Sequence, residues 1–214
     1  MVVPGPNRWV ELLVGRYIAQ LYLAVAALAV GMIFGALAVS TLTAVDKQSL
    51  AAYIHSFLQL EAARPTWHGV FRSALAANLK TLGLLYLLGV SVAGMPLVLV
   101  LLFFRGFVLG FSVGFLVSQL HLPGIGLSVV AIGLQNLFLV PALAIAGAGA
   151  LAFSWQLVSP ARRTAPHAVL EGFAAFTGLV LALSGVVLVG TLLESYAVPL
   201  LLHMLGSWLS RVPR

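Results

Sequence analysis

Gly110-Phe111-Ser112-Val113-Gly114 has the G-x-S-x-G spacing that elsewhere presents a nucleophilic serine at a strained strand-to-helix turn, within reach of a histidine base. Acyl transfer is the chemistry that spacing serves. Its surroundings oppose it. The pentapeptide lies inside an apolar helical run, and an intramembrane serine protease needs a histidine at the depth of its serine on another span. His55, His68, His121, His167 and His203 all fall in expected connectors or ends. The carboxylates Glu11, Asp46, Glu61, Glu171 and Glu194 are dispersed, no H-E-x-x-H occurs, and there is no cysteine. Local spacing therefore assembles no acid/base pair, metal cage or thiolate. The expectation is a non-enzymatic protein with no catalytic residue, no cofactor and no metal.

Other polar groups suggest a different role. Gln135 and Asn136 are adjacent and are expected in the middle of a span, with Pro141 shortly after and Pro96 in an earlier span. Carboxamides at that depth must bond to a neighbouring backbone or to carbonyls freed by a proline. They act as structural glue or line a polar path, which would make a small-solute permease or channel subunit the alternative function. Small residues recur every fourth position: Gly106, Gly110 and Gly114; Ala27, Gly31 and Gly35; Ala142, Ala146 and Ala150. Such faces let helices approach closely where lipid gives them no hydrophobic reason to associate. They pack the bundle or dock a partner helix or a second copy, and spacing leaves both open.

The elements that position these groups follow from charge. From Gly106 to Ala161 no Asp, Glu, Lys or Arg occurs, so the chain crosses a bilayer there twice, at about 20 apolar residues per crossing, with a break at His121-Leu122-Pro123-Gly124. Hydrophobic residues make up 62% of the 214, charged ones 7%, and the net charge of +6 reads as interfacial anchoring to anionic lipid rather than nucleic-acid binding. An all-α integral membrane protein is expected, a single membrane domain over 1–214 with five spans at about 17–39, 82–104, 106–119, 127–153 and 172–193. The first span is too long for a cleaved signal peptide. Arg105 stands alone between the second and third spans, which makes them a tight hairpin with its guanidinium at an interface. Arg162 and Arg163 form a basic interfacial turn, and Pro199 to Trp208 an interfacial end. Between the first two spans lies an extracytoplasmic connector, 46–80. After an N-cap at Asp46, Leu50, Tyr53, Ile54, Phe57 and Leu58 fall on one stripe of an amphipathic surface helix. Pro65 ends it, and a second helix restarts near Trp67 and runs into the second span. Basic residues divide almost evenly between the two sides, and the compact pairs Arg8/Arg16 and Arg162/Arg163 favour a cytoplasmic N-terminus.

The order of glycines, prolines and polar pairs is more specific than apolar content. Asn78-Leu79-Lys80, Leu88-Gly89, Gly94-Met95-Pro96, the run from Leu101 to Phe111, Val113-Gly114-Phe115-Leu116-Val117, Gln135-Asn136, Pro141-Ala142 and Ala152-Phe153-Ser154 together resemble the stage II sporulation protein M family. The likeness is dense over residues 78 to 156, and the chain length agrees. Where the family often carries Lys before the Gly-Phe pair, this chain has Arg105. The resemblance implies a multi-pass scaffold in the cell membrane at the sporulation septum, required when the mother cell engulfs the forespore. It further implies partnership in peptidoglycan remodelling with the membrane-anchored, peptidoglycan-degrading stage II sporulation proteins D and P. The proposed contacts are partner anchor helices against the glycine faces, and homo-oligomers fit the same faces.

Overall fold

Backbone amides cannot be left unpaired in hydrocarbon, so long uncharged runs close their hydrogen bonds internally as helices. A computed structural model describes residues 6–50, 52, 67–128, 133–158 and 166–209, and every regular element among them is helical. Five long helices carry the fold: α1 (Pro6–Ser40), α2 (Trp67–Gly89), α3 (Gly94–Ser128), α4 (Leu134–Val158) and α5 (Pro166–Leu209). Within them, Tyr17–Ser40, Gly94–Gln119, Asn136–Val158 and Val169–Leu192 are long and apolar enough to cross a membrane. These are four segments among the described residues, and α2, which carries Arg72 and Lys80, is not one of them.

The first and fifth expected spans fall inside α1 and α5, and the fourth overlaps α4 from Leu134 to Phe153, its expected start at 127 lying before that helix begins. The second and third do not survive as drawn. Arg105 is no hairpin turn but an interior residue of α3, which runs unbroken for 35 residues. The turn lies earlier, at 90–93. There the Val90 amide donates to the Tyr86 carbonyl (3.1 Å), Ser91 to Leu88 (3.1 Å) and Gly94 to Ser91 (3.0 Å). Gly94 sits so close to the Leu88 carbonyl that any Cβ would collide with it. Pro96 falls in the first turn of α3, where its missing N–H forfeits no helical bond, so it starts a helix instead of kinking one. The Ser154 hydroxyl of α4 donates towards the carbonyls of Gly89 (2.8 Å) and Ser91 (3.2 Å), tying this turn to the bundle.

Two further boundaries move. The break expected at 121–124 is absent, because α3 continues to Ser128. One missing proline hydrogen bond costs less in lipid than freeing a whole turn of backbone. Helix α5 continues to Leu209, through the end expected to be interfacial. In the connector the capping residue is Thr43 and not Asp46. The Asp46 amide donates to the Thr43 hydroxyl (3.2 Å), and both the amide (3.2 Å) and the hydroxyl (2.6 Å) of Thr43 donate to the Asp46 carboxylate. This is a reciprocal capping box for the helix that begins over 44–50. Its expected stripe residues Tyr53, Ile54, Phe57 and Leu58 lie outside the described residues, as does Pro65. Because α2 already starts at Trp67, the second half of the 46–80 connector belongs to the bundle.

Helix α4 is the central element: 67% of its span is buried, against 28% or less for the other three. Its small side chains, Ala142, Ala144, Ala146, Ala148 and Ala150, let neighbours close in on several sides. Helices α2, α4 and α5 meet through an aromatic cluster in which the Phe176 ring stacks on Tyr86 (5.4 Å) and Phe153 (5.7 Å). The Tyr86 hydroxyl finds Thr177 at 3.2 Å, so its polar tip is not stranded. Helices α1 and α3 run parallel, with Leu28 against Gly106, Met32 against Gly110 and Ala36 against Gly114.

Candidate functional site

The inward stripe of α2 is Asn78, Leu82, Leu85 and Gly89, at i, i+4, i+7 and i+11, and all four are buried. Leucines fill two of those places as hydrophobic patterning requires. Asn78 puts an amide where a leucine would be expected, and it is only 3% exposed. Arg105 explains it. A guanidinium has donors only, so the Asn78 Oδ1 turns to it and accepts from its Nη2 at 3.0 Å. The Asn78 Nδ2 then faces Thr191 of α5 and donates to Oγ1 at 3.4 Å. Thr191, 1% exposed, donates its own proton to the Val187 carbonyl at 2.8 Å and so presents a lone pair to the amide.

Three helices are thus joined by one directional chain of hydrogen bonds, from Arg105 through Asn78 and Thr191 to the α5 backbone. Arg105 lies near the middle of Gly94–Gln119, so the chain sits at mid-depth of the apolar zone. A charge there costs a few kcal/mol or more and persists only with partners, which marks this cluster as the candidate functional centre. Arg105 was expected at an interface. It is half-buried among helices instead, because the turn that would have carried it outward lies at 90–93.

The small-residue faces are brought together. A Cβ on Gly31 would collide with the Phe103 carbonyl oxygen, on Gly35 with that of Phe107, on Gly106 with that of Leu28, and on Gly110 with that of Met32. At Gly114 the nearest Ala36 atoms stand at 3.2 Å. These five glycines line one α1–α3 seam, flanked by Phe103, Phe107, Phe111 and Phe115 with successive ring centroids 6.2 to 6.4 Å apart. Both glycine faces are turned towards each other, and a partner helix needs another surface.

Gln135 and Asn136 are not mid-span. Both lie on the first turn of α4, at the start of the apolar segment Asn136–Val158, because α4 begins at Leu134. Pro141 is inside α4 and exposed, at an apolar groove shared with Val25 and Met32 of α1. The Ser112 hydroxyl donates to the Val108 carbonyl at 2.8 Å, one turn back in its own helix. Arg162 and Arg163 lie outside the described residues. Sequence reasoning missed Asn78 and Thr191 as site residues. The available signal was an asparagine in register with Leu82 and Leu85 on an otherwise apolar stripe.

Several motif pieces distant in sequence are neighbours in space: Asn78 bonds Arg105, and Ser154 bonds the Gly89 carbonyl. No curated protein and no solved structure matches the chain. The sequence model of the family described as Stage II sporulation protein M matches residues 24–199, which include α2, α3 and α4 entire, the C-terminal part of α1 and most of α5. With a match of that extent, the chain belongs to the stage II sporulation protein M family.

Proposed function

We propose that this chain is a non-enzymatic scaffold. In this reading it recruits and holds the peptidoglycan-degrading proteins D and P at the septal membrane while the forespore is engulfed. Helix α2 is its fifth span, and its N-terminus is cytoplasmic. The observation that carries the reading is the state of the intramembrane polar groups. Asn78, Arg105 and Thr191 are engaged in cross-linking helices α2, α3 and α5. A network of that kind makes a rigid platform, and rigid elements are what hold a partner in a fixed orientation. The permease alternative drew on Gln135 and Asn136 at mid-span, and their position on the first turn of α4 removes its specific support.

The test is complementation in a sporulating bacterium lacking its own M protein, with fluorescent protein P as reporter. Expression of this chain is expected to restore engulfment and concentrate protein P at the septum. Asn78→Leu, which strips Arg105 of an acceptor, is expected to abolish both. Correctly inserted native chain with protein P spread evenly around the membrane would sink the scaffold reading.

A further inference from the structure

Helix α2 has a second polar face that the buried cluster does not use. Lys80 follows Asn78 by two residues, about 200° around a helix, so when Asn78 points inward Lys80 must point out. The structure agrees, with Lys80 and Arg72 both exposed. Between and beyond them on that face are Ala76, Gly83 and Leu87, and a Cβ on Gly83 would meet nothing within 4 Å.

Depth makes this face unusual. The level of Gly89 is fixed by the turn that joins it to Gly94, the first residue of an apolar span. Lys80 lies nine residues back, about 14 Å along the axis, and Arg72 about 26 Å. In a hydrocarbon zone about 30 Å thick, Lys80 is close to the midplane. An extended lysine stem is too short to carry its ammonium to either surface. Asp46 follows the apolar segment of α1 and Glu171 is the third residue of the apolar segment of α5, so the two carboxylates whose side chains are described stand at opposite ends of the bundle, away from the level of Lys80. From Ala62 to Leu170 the chain contains no Asp or Glu.

We propose that the outer face of α2 is the docking surface for a single transmembrane helix carrying one carboxylate near the middle of its apolar segment, paired with Lys80. Small Ala76 and Gly83 on either side allow that helix to approach closely enough for the pair to exclude lipid. Charge complementarity selects the occupant: apolar anchor helices leave the ammonium bare at mid-depth, and an acidic one neutralises it. The inference rests on the scaffold reading and on α2 being a span, but its test uses neither septum nor partner enzyme.

The probe is a synthetic leucine/alanine helix of about 24 residues with one central Asp, alongside otherwise identical helices bearing Leu or Lys there, in neutral phosphatidylcholine vesicles at alkaline pH. Association with the full chain is read by energy transfer from a label on Cys introduced at Val92. The Asp helix is expected to associate about tenfold more tightly than the Leu helix. Lys80→Gln should erase that preference, and Lys80→Glu should transfer it to the Lys helix, which a merely misfolded variant would not do. Equal association of the Asp and Leu helices with the native chain overturns the proposal, as does a preference that survives Lys80→Gln. If instead chains with Ala76→Cys cross-link to one another and bind no synthetic helix, the face joins two copies and the proposal is likewise overturned. Septal recruitment in cells stands or falls separately.

Discussion

Glycine has opposite meanings at different positions of this chain, and the neighbour a methyl group would meet separates them. At Gly110 that neighbour is the main-chain oxygen of Met32, which cannot move without shifting α1. At Gly185, on α5, nothing lies within 4 Å. Gly110→Ala is therefore expected to cost about 1 to 3 kcal/mol, the range for overpacking a tight contact. Gly185→Ala should be neutral or slightly stabilising, since alanine is the better helix former. Unfolding of both variants in detergent micelles checks the contrast, and equal effects would refute the seam. The four-residue spacing of Gly106, Gly110 and Gly114 was legible in sequence. What they face was not, because parallel pairing of α1 with α3 depends on where the intervening chain turns. Asn78 was marked only as a break in an apolar stripe, and its link to Thr191 was opaque, since a hydrogen bond between residues 113 apart leaves no local periodicity.

Element boundaries depended on punctuation more than on charge. Reading Arg105 as the hairpin treated a lone cation as something lipid must expel. The Gly89, Gly94 and Pro96 cluster was the stronger signal, combining a helix-ending glycine with a proline suited to a first turn. Charge misled there because Asn78, contributed by another helix, could solvate the guanidinium in place of water. At the other end of α1 the reciprocal Thr43–Asp46 cap makes a pH prediction. The Thr43 hydroxyl, and then its amide, hydrogen-bond the exposed Asp46 carboxylate and hold its pKa below the ordinary 3.8. A lowered folded-state pKa means the carboxylate's contribution is fully present above 3.8 and is lost as pH falls through the lower, folded value. Amide signals of residues 44–50 should therefore hold steady down to pH 4 and change only below the usual aspartate midpoint. Thr43→Ala should move that midpoint up towards 3.8, and an unmoved midpoint would show that the cap is not made in the membrane-bound protein.

At the scale of the molecule, membrane class and helical fold were legible from the absence of charge, whereas the status of α2 was not. By composition it falls short of a membrane span, with Arg72 and Lys80 inside its 23 residues. By packing it belongs with the others: it runs antiparallel to α5, with Tyr86 against Thr177 and Asn78 against Thr191, and Gly89 touches Ala150 of α4. Its cations face out and its amide faces in, so mean hydropathy along the chain cannot detect how well it fits the bundle. The chain has no cysteine, which permits a direct test of the arrangement. Single cysteines at Thr43 and Ala93 bracket α2, one after α1 and one in the turn before α3. If α2 crosses the bilayer, a membrane-impermeant thiol reagent applied to intact cells reacts with only one of them. With the N-terminus cytoplasmic, Cys at position 43 should label at once and Cys at position 93 only after permeabilisation. Reversed labelling would invert the orientation and leave the span intact. Labelling of both from the same side would remove α2 from the membrane and, with it, the reason for Lys80 to require a partner.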